Sequence, residues 1–389
     1  MKTIRTIVFW MHLVSALVSG VVIFIMCLTG ALLSFERQVI EFSERDERHV
    51  SIPAGGQKLS AQQIIDHVKT ERPEAKPASM TIVNDPHAAW TIGLGRDGFL
   101  FLDPYTGAIR GEGNKTVRNV MSELRNWHRY VAMSGDQRPT GRLVTGISNI
   151  VFLFLAISGL YIWMPRMLTW KLIKPVLWFR GGLRGKARNF NWHNTIGFWT
   201  SLFLMIFTLT ATVISFQWAS DLLFTLTGNE VPPQSQNQSG QQTEQPYAYP
   251  TNLDALWPIA ETQAAGGKSI SLRLPIEKNA AVFTIDEGIY WNIFGRSTLT
   301  LDASTAAVSK WDPYGERNSA QQLRSWFRFT HTGETGGIVG QIIGFMACVG
   351  GAFLVWTGFS LAFRRFGKWI RRGSNGEIDP IQSGIENNE

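Results

Sequence analysis

Ionic residues are distributed unevenly along the 389-residue chain. Four stretches, Thr6 to Phe35, Leu143 to Pro165, Asn189 to Ser220 and Thr335 to Phe363, contain no Asp, Glu, Lys or Arg. Each exceeds the roughly 20 residues with which a helix crosses the hydrocarbon core of a bilayer. The pattern predicts four transmembrane helices and excludes a soluble protein. It divides the chain into helix 1 (1–35), an outer segment (36–141), helix 2 (142–165), a loop (166–190), helix 3 (191–218), a second outer segment (219–336), helix 4 (337–363) and a tail (364–389). Lys2 and Arg5 ahead of the first apolar run imitate a signal peptide. That run is too long for one, and Thr29 to Phe35 makes a poor cleavage site, so it is expected to remain as a helix.

The outer segments lack any span-length apolar run and read as small α+β domains. In the first, Leu59 to Glu71 has helical spacing, and Met80 to Val83, Ala89 to Gly95 and Phe99 to Leu102 read as strands. The second follows the same plan, with a helix over Leu253 to Ala264 and strands over Ser269 to Leu274, Ala281 to Asp286, Ile289 to Phe294 and Thr298 to Leu301. Val231 to Pro250 is rich in Gln, Ser and Pro and reads as a flexible linker.

This plan reflects an internal repeat. His12, Thr29, Ser34 and Phe35 match His193, Thr210, Ser215 and Phe216 at an offset of 181 residues. Leu102-Asp103, Leu124-Arg125-Asn126-Trp127 and Ser158-Gly159 match Leu301-Asp302, Leu323-Arg324-Ser325-Trp326 and Thr357-Gly358 at an offset of 199. One insertion near the Gln/Ser/Pro-rich run would account for the difference. Two crossings return the chain to its starting side, so the copies are expected to be parallel repeats about an axis along the membrane normal, forming a four-helix bundle.

Charge fixes the expected orientation. The loop after helix 2 carries Arg166, Lys171, Lys174, Arg180, Arg184, Lys186 and Arg188 with no acid, and the tail carries Arg364, Arg365, Lys368, Arg371 and Arg372. Both, with the N-terminus, belong in the cytoplasm. The net charge of +7 then reflects topology and contact with anionic lipid, and nucleic acid is not an expected partner. Cys27 and Cys348 both fall inside spans, which excludes a disulfide scaffold and makes them small buried hydrophobes.

An imidazole in an apolar helix is costly and faces the bundle interior. His12 and His193, at equivalent depth on duplicated helices, form a diametric pair suited to a planar cofactor ligated from both faces, for which bis-imidazole haem is the leading candidate. Helix packing is the competing role, and copper or zinc would want further ligands. His128 and His331 lie just beyond the outer ends of helices 2 and 4. Offset 199 carries His128 onto Phe327, a slip of four residues or about one helical turn, so both can still approach one site; two interfacial histidines is the alternative. His49, His67 and His87 stand in polar surroundings and read as solvated side chains. Gly93-Leu94-Gly95-Arg96-Asp97-Gly98 fits GxGxxG in letters only, because no helix follows and the context is a hairpin turn. There is no phosphate loop, nucleophile elbow or CxxC.

Trp10 to Phe35, Asn191 to Trp218, Trp127 to Arg166 (WHRYVAMSGDQRPTGRLVTGISNIVFLFLAISGLYIWMPR) and His331 to Arg365 (HTGETGGIVGQIIGFMACVGGAFLVWTGFSLAFRR) resemble the motifs of the PepSY-associated transmembrane helix family. Phe101 to Gly107 resembles the end of a PepSY domain, the outer module of that family, so each repeat would carry one PepSY-like periplasmic domain. The resemblance to its inner-membrane siderophore reductases implies two b-type haems in the bacterial inner membrane and release of iron from ferric siderophores. The electron donor would be an unidentified cytoplasmic-side protein or quinol. By position the family's histidines fall on His12, His193, His128 and His331, and Arg125, Arg129 and Arg324 become candidates for haem propionates or an anionic substrate. The chain departs from the pattern at Thr210-Ala211, where helix 1 has Thr29-Gly30, and at Ala306. A non-redox PepSY anchor or binding protein and a ferric-siderophore permease are the competing functions.

Overall fold

The computed structural model describes residues 2–165, 167, 169–232, 248–264, 266–288 and 295–374. The first half runs α1 (Lys2–Leu33), α2 (Glu36–Ser43), α3 (Arg45–Arg48), α4 (Ala61–Glu71), β1 (Ser79–Val83), β2 (Trp90–Gly93), β3 (Phe99–Leu102), β4 (Ile109–Gly111), α5 (Lys115–Tyr130) and α6 (Arg138–Trp163). The second runs α7 (Trp170–Leu177), α8 (Gly185–Ser215), α9 (Gln217–Leu226), α10 (Leu253–Gln263), β5 (Ser269–Arg273), β6 (Ala280–Asp286), β7 (Arg296–Asp302), β8 (Val308–Asp312), α11 (Ser319–His331) and α12 (Gly337–Ser374). Thr3–Leu33, Gly135–Trp163, Gly185–Ser215 and Glu334–Gly367 are long and apolar enough to span a membrane. They overlap the ion-free stretches, three of them stopping two to five residues short of the stretch's end, and each runs into charged residues. A helix need not end where the lipid does, and α8 takes in Lys186 and Arg188 before its apolar part begins.

The chain folds as two compact units. The helical unit comprises Met1–Ser34, Arg125–Ser215 and Gln341–Glu389. Within it α6 packs on both α1 and α8. α12 also meets both: Phe359 lies where a side chain on Gly20 of α1 would be, and Thr200 of α8 lies against Gly350. α1 and α8 therefore occupy one diagonal. Between α6 and α8, Asn149 Nδ2 is satisfied within the bundle, donating to Thr208 O at 2.9 Å and to Thr212 Oγ1 at 3.0 Å.

The other unit, Phe35–Leu124 with Phe216–Gly340, joins the two outer segments. The strands of both segments form one antiparallel sheet in the order β4-β3-β2-β1-β5-β6-β7-β8. Alone, each half would leave β1 or β5 as an open edge beside a four-stranded core. Joined, they bury one core of Ile64 and Ile65 (α4), Leu253 and Leu256 (α10), and Met80 and Leu272 at the seam. The seam centres on Thr81 opposite Ser271, whose hydroxyls are 2.9 Å apart. Ser79 pairs with Arg273 and Val83 with Ser269, so β1 maps onto β5 at a displacement of 190 residues, 269 less 79. That value lies between 181 and 199. The extra length of the second half is thus spread on both sides of β5, not inserted once. β4 and β8 went unread because IRG and VSKWD carry little apolar alternation. The proposed strand Ile289 to Phe294 and most of the Val231 to Pro250 linker lie outside the described residues. Gly93 to Gly98 is the turn between β2 and β3, closed by Gly98 at φ 106°.

Glu44 anchors the entry to the sheet. Its side chain is fully buried and receives Arg48 and Arg118, each through Nη2 at 2.8 Å, and the Asn114 N–H at 3.1 Å. Burial alone would raise the carboxyl pKa. The two guanidinium groups and the backbone donor outweigh it and hold the group below the ordinary carboxylate value.

Candidate functional site

Three of the four singled-out histidines occupy the same local setting, a Ser/Thr-Gly dipeptide on a neighbouring helix. His12 of α1 has Nδ1 2.8 Å from Ser158 Oγ on α6, and a Cβ on Gly159 would stand 3.4 Å from His12 Cε1. His193 of α8 has Nδ1 2.9 Å from Thr357 Oγ1 on α12, and a Cβ on Gly358 would stand 3.6 Å from its Cε1. His128 of α5 has Nδ1 3.0 Å from Thr29 Oγ1 on α1, and a Cβ on Gly30 would stand 3.2 Å from its Cε1. In each case the hydroxyl holds the ring edge and the glycine leaves room for the ring.

Proton positions follow from the hydroxyls. Thr357 Oγ1 donates to Phe353 O at 2.7 Å and Thr29 Oγ1 to Ile25 O at 2.6 Å, the usual back-bonding of a helical Thr. With its only proton committed, the hydroxyl accepts from the imidazole, so Nδ1 carries the hydrogen. A neutral ring has one proton, which leaves Nε2 as a lone pair. Ser158 makes the weaker version of this bond, to Leu155 O at 3.4 Å. His12 Nε2 has no partner among the described residues. Two imidazoles on diagonal helices, each held at Nδ1 by a hydroxyl of a neighbouring helix, are a donor set that fits a planar macrocycle ligated from both faces.

Four helices converge at Gly351 of α12: a Cβ there would lie 2.7 Å from Cys27 Sγ (α1), 3.3 Å from Phe152 Cζ (α6) and 3.6 Å from Leu204 Cδ2 (α8). Phe152 and Gly351 are themselves 199 residues apart, so one repeat supplies the ring and the other the space. Both cysteines are free thiols, and Cys348 Sγ lies 3.1 Å from the Cβ position of Gly30.

The remaining sequence candidates divide between the units. His331 is the last residue of α11 in the sheet unit. Thr210-Ala211, the fourth dipeptide of the series, is buried in α8 with Ala in the glycine place. The four-residue slip between His128 and His331 has a local cause. A Cβ on Gly141 would collide with Tyr130 O, and one on Gly340 with Gly333 O. These two glycines are exact repeats at offset 199, and each histidine lies two residues before the carbonyl that its glycine meets. The connection from that carbonyl to that glycine is simply four residues shorter in the second half. Val131 and Ala132, three and four residues after His128, have φ of 49° and 59°, a conformation that costs L-residues about 1 kcal/mol or more.

Arg125 and Arg129 lie one turn apart on α5, and burial followed by the charge of Arg129 lowers the Arg125 pKa. An anion between them would be favoured. Arg324 is exposed on α11. Unforeseen were Arg365, whose guanidinium lies 4.9 Å from the ring centroids of both Phe9 and Trp10, and Arg5, which donates to Ile162 O. The supporting role of Ser158 and Thr357 was also missed, although their matched offsets were the available signal.

A comparison with curated proteins finds no match to this chain. The family described as PepSY-associated TM region matches residues 9–365. With four spans, a histidine pair held between them and a match over nearly its whole length, the chain is a multi-pass membrane protein that belongs to the PepSY-associated TM family.

Proposed function

We propose that the protein is a di-haem b reductase of the bacterial inner membrane, passing electrons from the cytoplasmic side or from quinol to ferric siderophores in the periplasm. The observation that carries this reading is the pair His12 and His193, each held at Nδ1 by a hydroxyl of a neighbouring helix, with Nε2 as the proposed ligand atom. Haem b, when bound, supplies a one-electron iron couple that works without proton chemistry on the protein.

The chain's own groups do the rest. Ser158 and Thr357 fix ring orientation and tautomer, which raises the basicity of each imidazole. From the sequence, His128 and His331 are the proposed ligands of a second haem. Arg125, Arg129 and Arg324 are the proposed contacts for propionates or an anionic chelate. One electron per ferric ion suffices for release, because oxygen-rich chelators hold hard Fe(III) far better than Fe(II). The lysine and arginine excess of the 166–190 loop and the tail supports cytoplasmic N- and C-termini.

The test is a reduced-minus-oxidised spectrum of purified protein, followed by reoxidation with ferric siderophores. The expected result is a Soret band with two reduced α-bands, one of which disappears in both His12→Ala and His193→Ala. Protein that stays colourless after haem-supplemented expression would return the anchoring role. Haem that is never reoxidised by ferric chelates, with chelate uptake intact, would favour a permease.

A further inference from the structure

His49 and His87, read from the sequence as separate solvated side chains, meet on the surface of the sheet unit. Their rings stack with centroids 5.4 Å apart and planes 14° from parallel. The backbone brings them together. The Val50 N–H donates to His87 O at 2.8 Å, the Ala89 N–H donates to Arg48 O at 2.8 Å, and His49 forms an antiparallel bridge with Ala88. Beneath this two-segment ribbon, Val50, Ala89 and Phe101 form a small buried cluster.

The loop holding His87 is braced. Asp85 Oδ1 accepts the His87 backbone N–H at 2.8 Å, and Tyr105 Oη donates to Pro86 O at 2.9 Å. The ring is braced as well: His87 Nδ1 lies 3.3 Å from Val50 O, and a carbonyl can only accept, so Nδ1 carries the proton and Nε2 keeps its lone pair. An imidazole donating its second nitrogen to a backbone carbonyl is the ordinary posture of a metal-ligating histidine. Arg48, the nearest cation in sequence, is occupied by Glu44 and lies over Phe101 at 4.9 Å.

We propose that His49 and His87 form a surface site for one borderline divalent transition-metal ion, with two imidazole nitrogens from the protein and water in the other positions. Imidazole suits copper, nickel and zinc, and affinity should follow the usual order, with Cu(II) first. Binding is ligand exchange with no change of oxidation state. Both side chains are exposed, and rotation of the His49 ring lets it share the ion presented to His87 Nε2. Mg(II) and Ca(II) need hard oxygen ligands and are not candidates. This site is independent of the haem reading.

The experiment uses the full chain, purified without a histidine tag in detergent micelles at neutral pH, and titrated with Cu(II) under electron paramagnetic resonance. One equivalent with two-nitrogen hyperfine structure is expected. His49→Gln or His87→Gln alone should weaken binding at least tenfold and leave one-nitrogen structure, while His67→Gln should bind as wild type. A wild-type chain that takes up no equivalent would overturn the proposal. So would either variant that keeps full affinity, since the copper would then be held elsewhere, for instance in the bundle.

Discussion

At the scale of single residues the bundle depends on where three protons sit. Because the Thr357 proton is spent on Phe353 O, Thr357→Val removes an acceptor while keeping the shape. Haem retention in that variant should fall by roughly 10- to 100-fold, measured as transfer to a competing apo-globin, while Thr357→Ser should stay near wild type. Equal loss from both variants would mean that packing, not the hydrogen bond, matters there. Glu44 gives a pH signature. Its folded pKa lies below the unfolded one, so its contribution is complete above the ordinary carboxylate value and is lost as pH falls through the lower folded value. Glu44→Gln should cost about 2 kcal/mol near neutrality and flatten the fall of melting temperature on acidification. A variant with an unchanged acid slope would show that the clasp by Arg48 and Arg118 does not govern acid stability.

At the scale of elements, glycines set how closely helices approach. Gly141 and Gly340 lie directly against preceding carbonyls, whereas nothing lies within 4 Å of a Cβ on Gly336. Gly340→Ala should therefore destabilise by about 2 kcal/mol and Gly336→Ala by much less, a comparison that thermal unfolding in detergent can make. Such contacts also explain what was readable in advance. The four spans and their charged flanks were legible because lipid imposes a composition on the chain. The hydroxyl–glycine setting around each ring was not, since it joins residues such as His12 and Ser158 that periodicity cannot relate. β4 and β8 were missed for the reason that edge strands often are: they bury few side chains and so leave no alternation to read.

At the scale of the whole molecule, the proposed direction of electron flow rests on topology. A reporter active only in the cytoplasm should give signal when fused after Gly182 or Asn388 and none after Gly240. Strong signal at Gly240 would reverse the proposed route. The sheet unit bears on assembly as well. Its single core, shared by α4 and α10, predicts that neither outer segment is stable alone.

The seam between β1 and β5 also sets a schedule. Val83 must wait for Ser269 before the ladder can close, and a ribosome adding roughly 5–20 residues per second needs on the order of 10–40 s to make the intervening chain. Throughout that interval two membrane spans are inserted while β1 presents an unpaired edge. The newborn first half must therefore either be shielded by another protein or rely on the hydroxyls of Ser79 and Thr81 to keep that edge wetted until its mate emerges.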